Sequence, residues 1–387
     1  MRTPHIAVLL STVLLSCSGK AEPHDSASPA TRLDTLPLAE QVVAQGMETF
    51  PPEIVFFDWI PTVFAWGVHR THAASGDATY QGWYRAWMDA ALVDFTGEHF
   101  ESSDATSPAL LASTLMWEDG STDYTTITDA ADAYIAAVPR ASNGAMVHWG
   151  PDNPWGFDDD QVWVDSQFML GLYLLQEGRR TGDDASIDAF VAQYVAFHAL
   201  LSDPDDHLYR HAWDDGDSVH IPVSASYWAR GNAWALVAGA ELLRAVGPDD
   251  PRWDTVAPLW TEHVAAILPL QAEDGLWHTV LNRADDPANY TETSASALIG
   301  YALVVGIHAD VPLDDGAVRR AVLATVQGVE SRLSQDASGV WQLTGTSTGT
   351  NPGEYEDYIA VPQLDDLMLG WGAVAMFLAE AHGLEVP

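Results

Sequence analysis

Carboxylates set beside tryptophans are the side chains of this sequence that could do chemistry. Asp165 stands in the stretch QVWVDSQFML, with apolar residues on both sides. A carboxylate with apolar neighbours tends to have a raised pKa and can serve as a general acid, although a hydrogen-bonded core aspartate would fit the same pattern. Asp104, in ESSDATSPALLASTL, comes before a helical pattern and is either a helix N-cap or a second catalytic carboxylate.

Tryptophans and acidic residues cluster in the connections between apolar segments. The segment 146–170 holds three tryptophans, several acids and His148, and the segment 207–217 adds His211 beside another tryptophan. Aromatic rings stack on the apolar faces of sugars, while acids and amides bind hydroxyl groups. The clusters therefore favour a carbohydrate site, with gap-filling between helices as the alternative for any single tryptophan. The three aspartates at 158–160 fit a solvated loop better than a cation site.

Arg230 is placed among large rings in the stretch SYWARGNAW, between Trp228 and Trp234. Positive charge is scarce, because the chain has 16 Lys+Arg against 55 Asp+Glu. The formal charge of −39 argues against a nucleic-acid partner, whose phosphates need a basic surface. Any acidic ligand must therefore be small or be held by a local positive group.

Cysteine and lysine chemistry is excluded from most of the chain. The only cysteine is Cys17 and the only lysine is Lys20. The folded part therefore has no disulfide, no cysteine nucleophile, no cysteine-ligated metal and no Schiff-base lysine. It also shows no HExxH motif or close histidine pair that would indicate zinc. We expect no metal and no cofactor, which leaves carboxylate, histidine, hydroxyl and arginine chemistry.

The N-terminus has the pattern of an export signal. Arg2 precedes the apolar run IAVLLSTVLL, which is too short for a permanent membrane span and predicts a signal peptide over 1–16. The letters LLSC at its end resemble a bacterial lipobox, so Cys17 would become a lipidated N-terminus. Residues 17–35 would be a flexible tether. We expect an exported lipoprotein of the cell envelope, on the outer membrane where there are two membranes; ordinary secretion without an anchor is the alternative.

Apolar periodicity near 3.6 residues dominates the rest of the chain. The predicted helices span residues 38–49, 61–75, 77–94, 107–117, 122–138, 162–180, 184–201, 228–245, 252–270, 291–308, 314–334 and 364–382. Short strands are indicated at 276–281 and 339–344. Twelve helices suggest six helical hairpins in a single domain over 36–387, arranged as a solenoid or a closed toroid. Because no sequence repeat is found, we expect an all-α (α/α)6 toroid with its loops at one mouth.

Five motifs occur in order along the chain: VWVDSQFM, LYRHAWD, YWARGNAW, GLWHTVL and YTETSASALIGYAL. Together they resemble the unsaturated glucuronyl and rhamnogalacturonyl hydrolases, glycoside hydrolase families 88 and 105, with LYRHAWD closer to family 105. The resemblance runs from about residue 55 to the C-terminus and implies the (α/α)6 fold. It also implies an unsaturated oligosaccharide as partner, left by a polysaccharide lyase and ending in a 4,5-unsaturated uronic acid. Water adds across that double bond, the hemiketal opens, and the next sugar leaves.

The resemblance assigns the steps of this reaction to named residues. Asp165 would protonate C4 and then take a proton from the water that attacks C5, with Asp104 as the partner aspartate. His148, His211 and Trp59 would contact the substrate. Two further rings and one cation complete the site implied by the resemblance: Trp228 and Trp234 would wall the sugar, and Arg230 would bind the uronate carboxylate, unless it pairs with a structural aspartate.

Two other classes of protein fit the same residues. One is a different (α/α)6 enzyme, either a sugar epimerase or a glycosidase with two acids facing each other across the bond. The other is a non-catalytic, surface-anchored sugar-binding protein. Rhamnogalacturonan, ulvan and glycosaminoglycan fragments all remain possible sources of the substrate.

Overall fold

The structure is a computed structural model that describes residues 31–93, 95–96, 100–150, 153, 156 and 160–387. The predicted signal peptide, Cys17, most of the tether and two of the three aspartates at 158–160 lie outside the described residues. Among the helices that are described, none has the length and apolar character needed to cross a membrane.

The tether prediction is wrong at its C-terminal end. Residues 31–35 belong to the fold, because Thr31 and Arg32 form a strand that pairs with Glu385–Val386 at the other end of the chain. Leu33 is 7% exposed and packs into the core. The folded domain therefore begins a few residues earlier than the sequence indicates.

Helices make up most of the described chain. The α-helices are α1 (Leu36–Thr49), α2 (Trp59–Ser75), α3 (Ala78–Val93), α4 (Ser103–Thr106), α5 (Ala109–Asp119), α6 (Thr125–Ala137), α7 (Ser166–Met169), α8 (Gly171–Thr181), α9 (Asp184–Leu201), α10 (Ala229–Val246), α11 (Trp253–Ile267), α12 (Thr293–His308), α13 (Asp315–Glu330), α14 (Tyr355–Ala360) and α15 (Met368–Ala381). Single 3-10 turns lie at Pro52–Ile54 and Leu268–Leu270.

Short antiparallel strands connect the helices. They are β1 (Thr31–Arg32), β2 (Gln161–Trp163), β3 (Ala212–Asp214), β4 (Val219–Ile221), β5 (Trp277–His278), β6 (Thr291–Glu292), β7 (Leu333–Gln335), β8 (Trp341–Leu343), β9 (Thr346–Ser347), β10 (Gln363–Leu364) and β11 (Glu385–Val386). β2, β3 and β4 form a three-stranded sheet, and the remaining strands pair as β1–β11, β5–β6, β7–β8 and β9–β10.

Six helices form a closed inner ring. α2 contacts α5, α5 contacts α8, α8 contacts α10, α10 contacts α12, α12 contacts α15, and α15 returns to α2. The outer helices α1, α3, α6, α9, α11 and α13 alternate with them along the chain. This arrangement is the predicted (α/α)6 toroid, and the contact between α15 and α2 rules out an open solenoid.

α12 and α15 are apolar on all sides, which is the pattern of a helix packed against neighbours all round. In α12, every residue from 293 to 306 is buried, and α15 is buried over nearly its whole length. The ring closes where Gly67 of α2 meets Gly372 of α15. A Cβ on Gly67 would lie 2.4 Å from the carbonyl oxygen of Gly372, so this close approach requires glycine.

Most of the predicted helices match the structure to within a few residues, and one begins wrongly. The helix predicted over 162–180 starts instead as strand β2, followed by the short α7 and then α8. β2 pairs with β3, which lies about fifty residues later in the chain. Helical periodicity is a local signal and does not register such a distant partner.

All six inner helices point the same way. Their C-terminal halves gather at one end, where Arg70 of α2 and Arg244 of α10 both bond Glu380 of α15. His308 at the end of α12 also contacts Glu380, and α5 and α8 line a cavity with α2 and α10 at this end. Their N-termini therefore gather at the opposite end, together with the short helices α4 and α7. This N-terminal mouth carries the residues that sequence analysis singled out.

Candidate active site

Two short helices carry the two candidate carboxylates to the N-terminal mouth. α4 is capped by Ser102, whose Oγ accepts a hydrogen bond from the backbone N–H of Ala105 at 3.3 Å. Asp104 therefore lies inside the first turn, and its alternative role as the N-cap is wrong. Asp165 lies in the turn between β2 and α7, with helical backbone angles.

The two carboxylate-bearing helices are tied together by one buried histidine. Ser103 precedes Asp104 along the chain and places its Oγ 2.8 Å from Nδ1 of His148. Ser166 follows Asp165 and donates to the Oγ of Ser103 at 2.9 Å. Because each serine is the chain neighbour of an aspartate, this hydroxyl chain fixes the relative position of the two carboxylates.

His148 is wholly buried beneath the pair. Its ring stacks on Trp163 at 4.1 Å between centroids, and its Nε2 lies 3.7 Å from Oδ2 of Asp104. Burial lowers the pKa of His148 to about 3, although the charge of Asp165 opposes this shift. The imidazole is therefore neutral across the physiological range and acts as a fixed polar support.

The second histidine holds Asp165. The antiparallel register pairs Trp163 with Ala212, and the N–H of Val164 donates to the carbonyl of His211 at 2.9 Å. This pairing brings Nε2 of His211 to 3.3 Å from Oδ2 of Asp165. The pairing of strands β2 and β3 therefore positions His211 against Asp165. A helix over this segment, as the periodicity predicts, would not explain that contact.

The pKa of Asp165 differs from the sequence-based expectation. Burial raises the pKa of this carboxyl, but the contact with His211 and the polar influence of His148 outweigh burial and bring the pKa below its ordinary value. Asp165 is therefore ionised in the free site. The expectation of a raised pKa failed because it considered only the apolar neighbours along the chain.

Asp104 has the raised pKa instead. Burial contributes most, and the charges of Asp165 and Asp58 act in the same direction, so the pKa lies well above its ordinary value. Asp58 caps α2 by accepting from the N–H of Trp59 at 2.8 Å, and burial raises its pKa too. The mouth thus holds two aspartates whose pKa values are shifted in opposite directions, which suits one of them to act as an acid and the other as a base.

Arg230 does not face the open mouth. It is 1% exposed, and both of its Nη groups are occupied within the protein. Nη1 bonds the Oγ of Ser347 at 2.5 Å and lies 3.7 Å from Oε1 of Glu292, while Nη2 bonds the carbonyl of Thr348 at 2.7 Å and the hydroxyl of Thr350 at 3.0 Å. These contacts support the structural alternative for Arg230, with a glutamate in place of an aspartate, while its contact with the uronate stays a prediction.

The two predicted sugar-walling tryptophans are also buried. Trp228 is 2% exposed and lies between His211, stacked at 4.2 Å, and the guanidinium of Arg230 at 4.8 Å. Trp234 has no exposure and packs edge-on to Trp59. Both rings support the site from behind, and their contact with the sugar stays a prediction. Trp59 is half-buried at the start of α2 and remains the predicted aromatic contact.

Sequence analysis missed several residues of this site. Asp58 directly precedes Trp59, the predicted aromatic contact, so the sequence could have indicated it. Tyr358, whose hydroxyl lies 3.1 Å from Nδ1 of His211, is 147 positions away from that histidine and gave none. Within the described residues, no group of three or more His, Cys, Asp or Glu side chains could hold a metal ion.

A separate cavity of about 220 Å³ lies away from this mouth, among the C-terminal halves of inner helices. It is lined by Trp66, His69 and Arg70 of α2 and by residues of α5, α8 and α10, including Arg244. Neither Asp104 nor Asp165 borders it. The chemistry described above therefore belongs to the N-terminal mouth and not to this cavity.

The chain belongs to glycosyl hydrolase family 88, whose family model matches residues 39–384. Among curated proteins, the unsaturated rhamnogalacturonyl hydrolase YesR of Bacillus subtilis is 29% identical over 327 residues, which cover 84% of this chain and 89% of that protein.

Solved structures share the fold. A family 105 glycoside hydrolase of C. acetobutylicum superposes with a TM-score of 0.79 at 18% identity, covering 89% of this chain and 99% of that one. The unsaturated glucuronyl hydrolase of Bacillus sp. GL1 superposes with a TM-score of 0.67 at 19% identity, covering 90% and 95%. At these identities the likeness concerns the toroid itself.

Proposed function

We propose that this chain hydrates the 4,5 double bond of an unsaturated uronic acid at the non-reducing end of an oligosaccharide. The products are a keto-uronate and an oligosaccharide one sugar shorter. The observation that carries the proposal is the pair of partly buried aspartates, Asp104 and Asp165, whose pKa values are shifted in opposite directions at the mouth of a family 88 toroid. The family resemblance in the motif around Asp165 supports the same reaction.

The aspartate pair supplies one proton for the reaction. In the free site this proton lies on Asp104, because the pKa of Asp104 is raised while that of Asp165 is lowered. A bound uronate brings another negative charge and excludes water, and both effects raise the pKa of Asp165. Asp165 can then take the shared proton and deliver it to C4.

The second half of the reaction restores the proton. Once C4 is protonated, C5 carries the positive character and is attacked by water, while the Asp165 carboxylate accepts the proton that the water loses. The bond formed is C5–O, and the product is a hemiketal. The hemiketal opens to the keto-uronate and releases the next sugar as its alcohol, so that the aspartate pair ends the cycle with the one proton that it held at the start.

Arg230, the arginine that the resemblance assigns to the substrate's carboxylate, is enclosed within the protein. The positive ends of the inner helices converge there, and N–H groups at a helix N-terminus favour anions. Arg230 lies behind the mouth and is near enough for its charge to interact with Asp165. We therefore propose that hydroxyls and backbone N–H groups contact the uronate while Arg230 contributes its field.

Loss of ultraviolet absorbance in a lyase digest tests this function. The conjugated double bond of an unsaturated uronate absorbs, and hydration removes it, so the purified protein should bleach the digest. Asp165→Asn run in parallel controls for a contaminating activity. An epimerase and a sugar-binding protein would each leave the absorbance unchanged.

The choice of digests follows from the named relatives. YesR is described as an unsaturated rhamnogalacturonyl hydrolase, and a protein of Formosa agariphila that is 23% identical over 273 residues is described as an unsaturated 3S-rhamnoglycuronyl hydrolase. A uronic acid linked to rhamnose is common to both descriptions. We therefore propose that the sugar next to the unsaturated uronate is rhamnose, and expect rhamnogalacturonan and ulvan digests to bleach faster than glycosaminoglycan digests.

We also propose that the chain is exported and anchored by a lipid at Cys17. The leader over 1–16, the lipobox-like LLSC and the following Ser18 support this proposal. Fractionation of cells that express the wild type and Cys17→Ala tests it. The wild type should sediment with the membranes, mostly the outer one, and the variant should move to the soluble fraction; an unchanged distribution would contradict the anchor.

A further inference from the structure

Tyr358 is a buried aromatic that the reaction described above does not use. It lies on α14, a short helix between α13 and α15, and has no exposed surface. Its ring runs parallel to Trp228, with 6.3 Å between centroids and an angle of 2°, and stacks beside His211 at 5.8 Å. A phenylalanine could provide the same packing, so the hydroxyl needs its own explanation.

The hydroxyl of Tyr358 has two neighbours that define the direction of its proton. The backbone N–H of Gly353 donates to Oη at 3.4 Å, and Nδ1 of His211 lies 3.1 Å from Oη. Because Oη accepts from Gly353, its own proton is free to point at Nδ1. Nδ1 is then an acceptor and carries no hydrogen.

The other side of the imidazole agrees with this assignment. A neutral histidine holds one ring proton, so an unprotonated Nδ1 places that proton on Nε2. Nε2 lies 3.3 Å from Oδ2 of Asp165, and an ionised carboxylate can only accept. The four groups thus form one polarised chain, from the Gly353 N–H through Tyr358 and His211 to Asp165.

We infer that Tyr358 is a positioning residue for the proposed hydration. Its hydroxyl holds His211 in the Nε2–H tautomer, and His211 in turn keeps the Asp165 carboxylate oriented and ionised until the substrate binds. The inference rests on the proposed function for its effect on the rate, but the tautomer itself is a property of the free protein.

The surrounding charges are consistent with a neutral His211. Burial lowers its pKa, Asp165 opposes that shift, and Arg230 acts in the same direction as burial. Burial and the charges of Asp165, Glu354 and Asp357 raise the pKa of Tyr358, so its hydroxyl keeps its proton. The histidine therefore acts through its tautomer and not as a cation.

Removing the hydroxyl of Tyr358 should allow His211 to adopt its other neutral tautomer. In Tyr358→Phe, Nδ1 has no donor, so the Nδ1–H form becomes accessible and turns the Nε2 lone pair toward the Asp165 carboxylate. That repulsion favours protonation of Asp165. We expect kcat to fall by about tenfold to a hundredfold, the usual range for a residue that orients a functional histidine, with KM changed less and the acidic limb of the kcat profile moved to higher pH.

Nitrogen NMR of histidine-labelled protein tests the inference directly. In the wild type, the His211 signals, identified by their loss in His211→Gln, should show a protonated Nε2 and an unprotonated Nδ1. A protonated Nδ1 in the wild type would overturn the inference even if the enzyme hydrates its substrate. Because this NMR measurement needs neither a variant at position 358 nor any activity, its result does not depend on whether the proposed function is correct.

The matched variants test the effect on the rate. Tyr358→Phe should shift the His211 tautomer, lower kcat and move the acidic limb, while Tyr355→Phe, on the same helix, should do none of these. If Tyr358→Phe melts at the same temperature as Tyr355→Phe and keeps both the wild-type tautomer and the wild-type kcat profile, the positioning role is wrong.

Discussion

Asp104 and Asp165 are the same residue type at the same mouth, and their surroundings shift their pKa values in opposite directions. His211 contacts Asp165 and lowers its pKa against the effect of burial. Asp104 has only a distant histidine contact, while burial, Asp165 and Asp58 all raise its pKa. Their difference arises from partners far away in the chain and not from the residues beside them in the sequence.

Asp165→Asn should leave the fold intact and lower kcat by about 10²- to 10⁴-fold, because both proton transfers depend on this carboxylate. Asparagine has nearly the same volume and keeps an oxygen that can face Nε2 of His211. Initial rates of absorbance loss provide the measurement, with the exposed Asp254→Asn on α11 as the control. Retention of a tenth of the wild-type kcat would remove Asp165 from the mechanism.

Asp104→Asn should be equally severe and should move the alkaline limb of the kcat profile to lower pH. In the wild type, the working proton is lost through the raised pKa of Asp104. In the variant, the only proton left is that of Asp165 itself, whose pKa is lowered. A residual activity whose alkaline limb stays in place would show that the pair does not share a proton.

The same variant should be more stable than the wild type at mildly alkaline pH and equal to it near pH 4. Unfolded, Asp104 titrates with a pKa of about 4, whereas the folded protein holds its proton to higher pH. The folded state therefore binds more protons in that window, and stability falls as pH rises through the raised pKa. Melting curves at both pH values test this, and equal melting temperatures at alkaline pH would contradict it.

At the scale of elements, the segment from β9 to Thr350 is held by Arg230. The guanidinium bonds Ser347, Thr348 and Thr350, and Glu292 accepts from the N–H of Ser347 at 2.9 Å. Glu292 also caps α12, accepting from the N–H of Ser294 at 3.2 Å. One buried ion pair therefore joins α10, α12 and the 346–350 segment beside the mouth.

Arg230→Ala should destabilise the fold by about 3–5 kcal/mol, because it leaves Glu292 as a buried charge without its partner. Arg230→Ala combined with Glu292→Gln should recover part of that loss, since the unpaired charge is gone. Chemical denaturation of the two variants and the wild type provides the measurement. If the single variant is as stable as the wild type, the ion pair is not structural and the predicted contact with the uronate is favoured.

The sequence predicted the elements well where local pattern decides them, and poorly where distant partners do. The periodicity of α9 and α12 gave bounds close to those observed. The apolar periodicity predicts a helix where strand β2 lies, because the partner strand β3 is about fifty residues away and leaves no local signal. The motifs predicted that Asp165 and His211 belong to the site. They could not predict that the 346–350 segment encloses Arg230 or that Tyr358 contacts His211, because these partners are far away in the chain.

At the scale of the molecule, the closed ring explains how a strongly acidic chain can bind an anionic sugar. The chain carries a formal charge of −39, which repels anions at long range. The parallel inner helices gather their positive ends at one mouth, close to Arg230. The toroid, closed at Gly67 and Gly372 and again by β1 and β11, holds these ends in place around the aspartate pair.

The central claim is that the chain hydrates a double bond, and isotope labelling of the product tests it most directly. If Asp165 protonates C4, the reaction in heavy water should place deuterium at C4 of the keto-uronate at early times. In water labelled with heavy oxygen, the label should enter at C5. A direct glycosidase would place that oxygen on the anomeric carbon and leave C4 unlabelled. Deuterium at C4 with oxygen at C5 is the predicted result, and an unlabelled C4 before any later exchange would contradict the account.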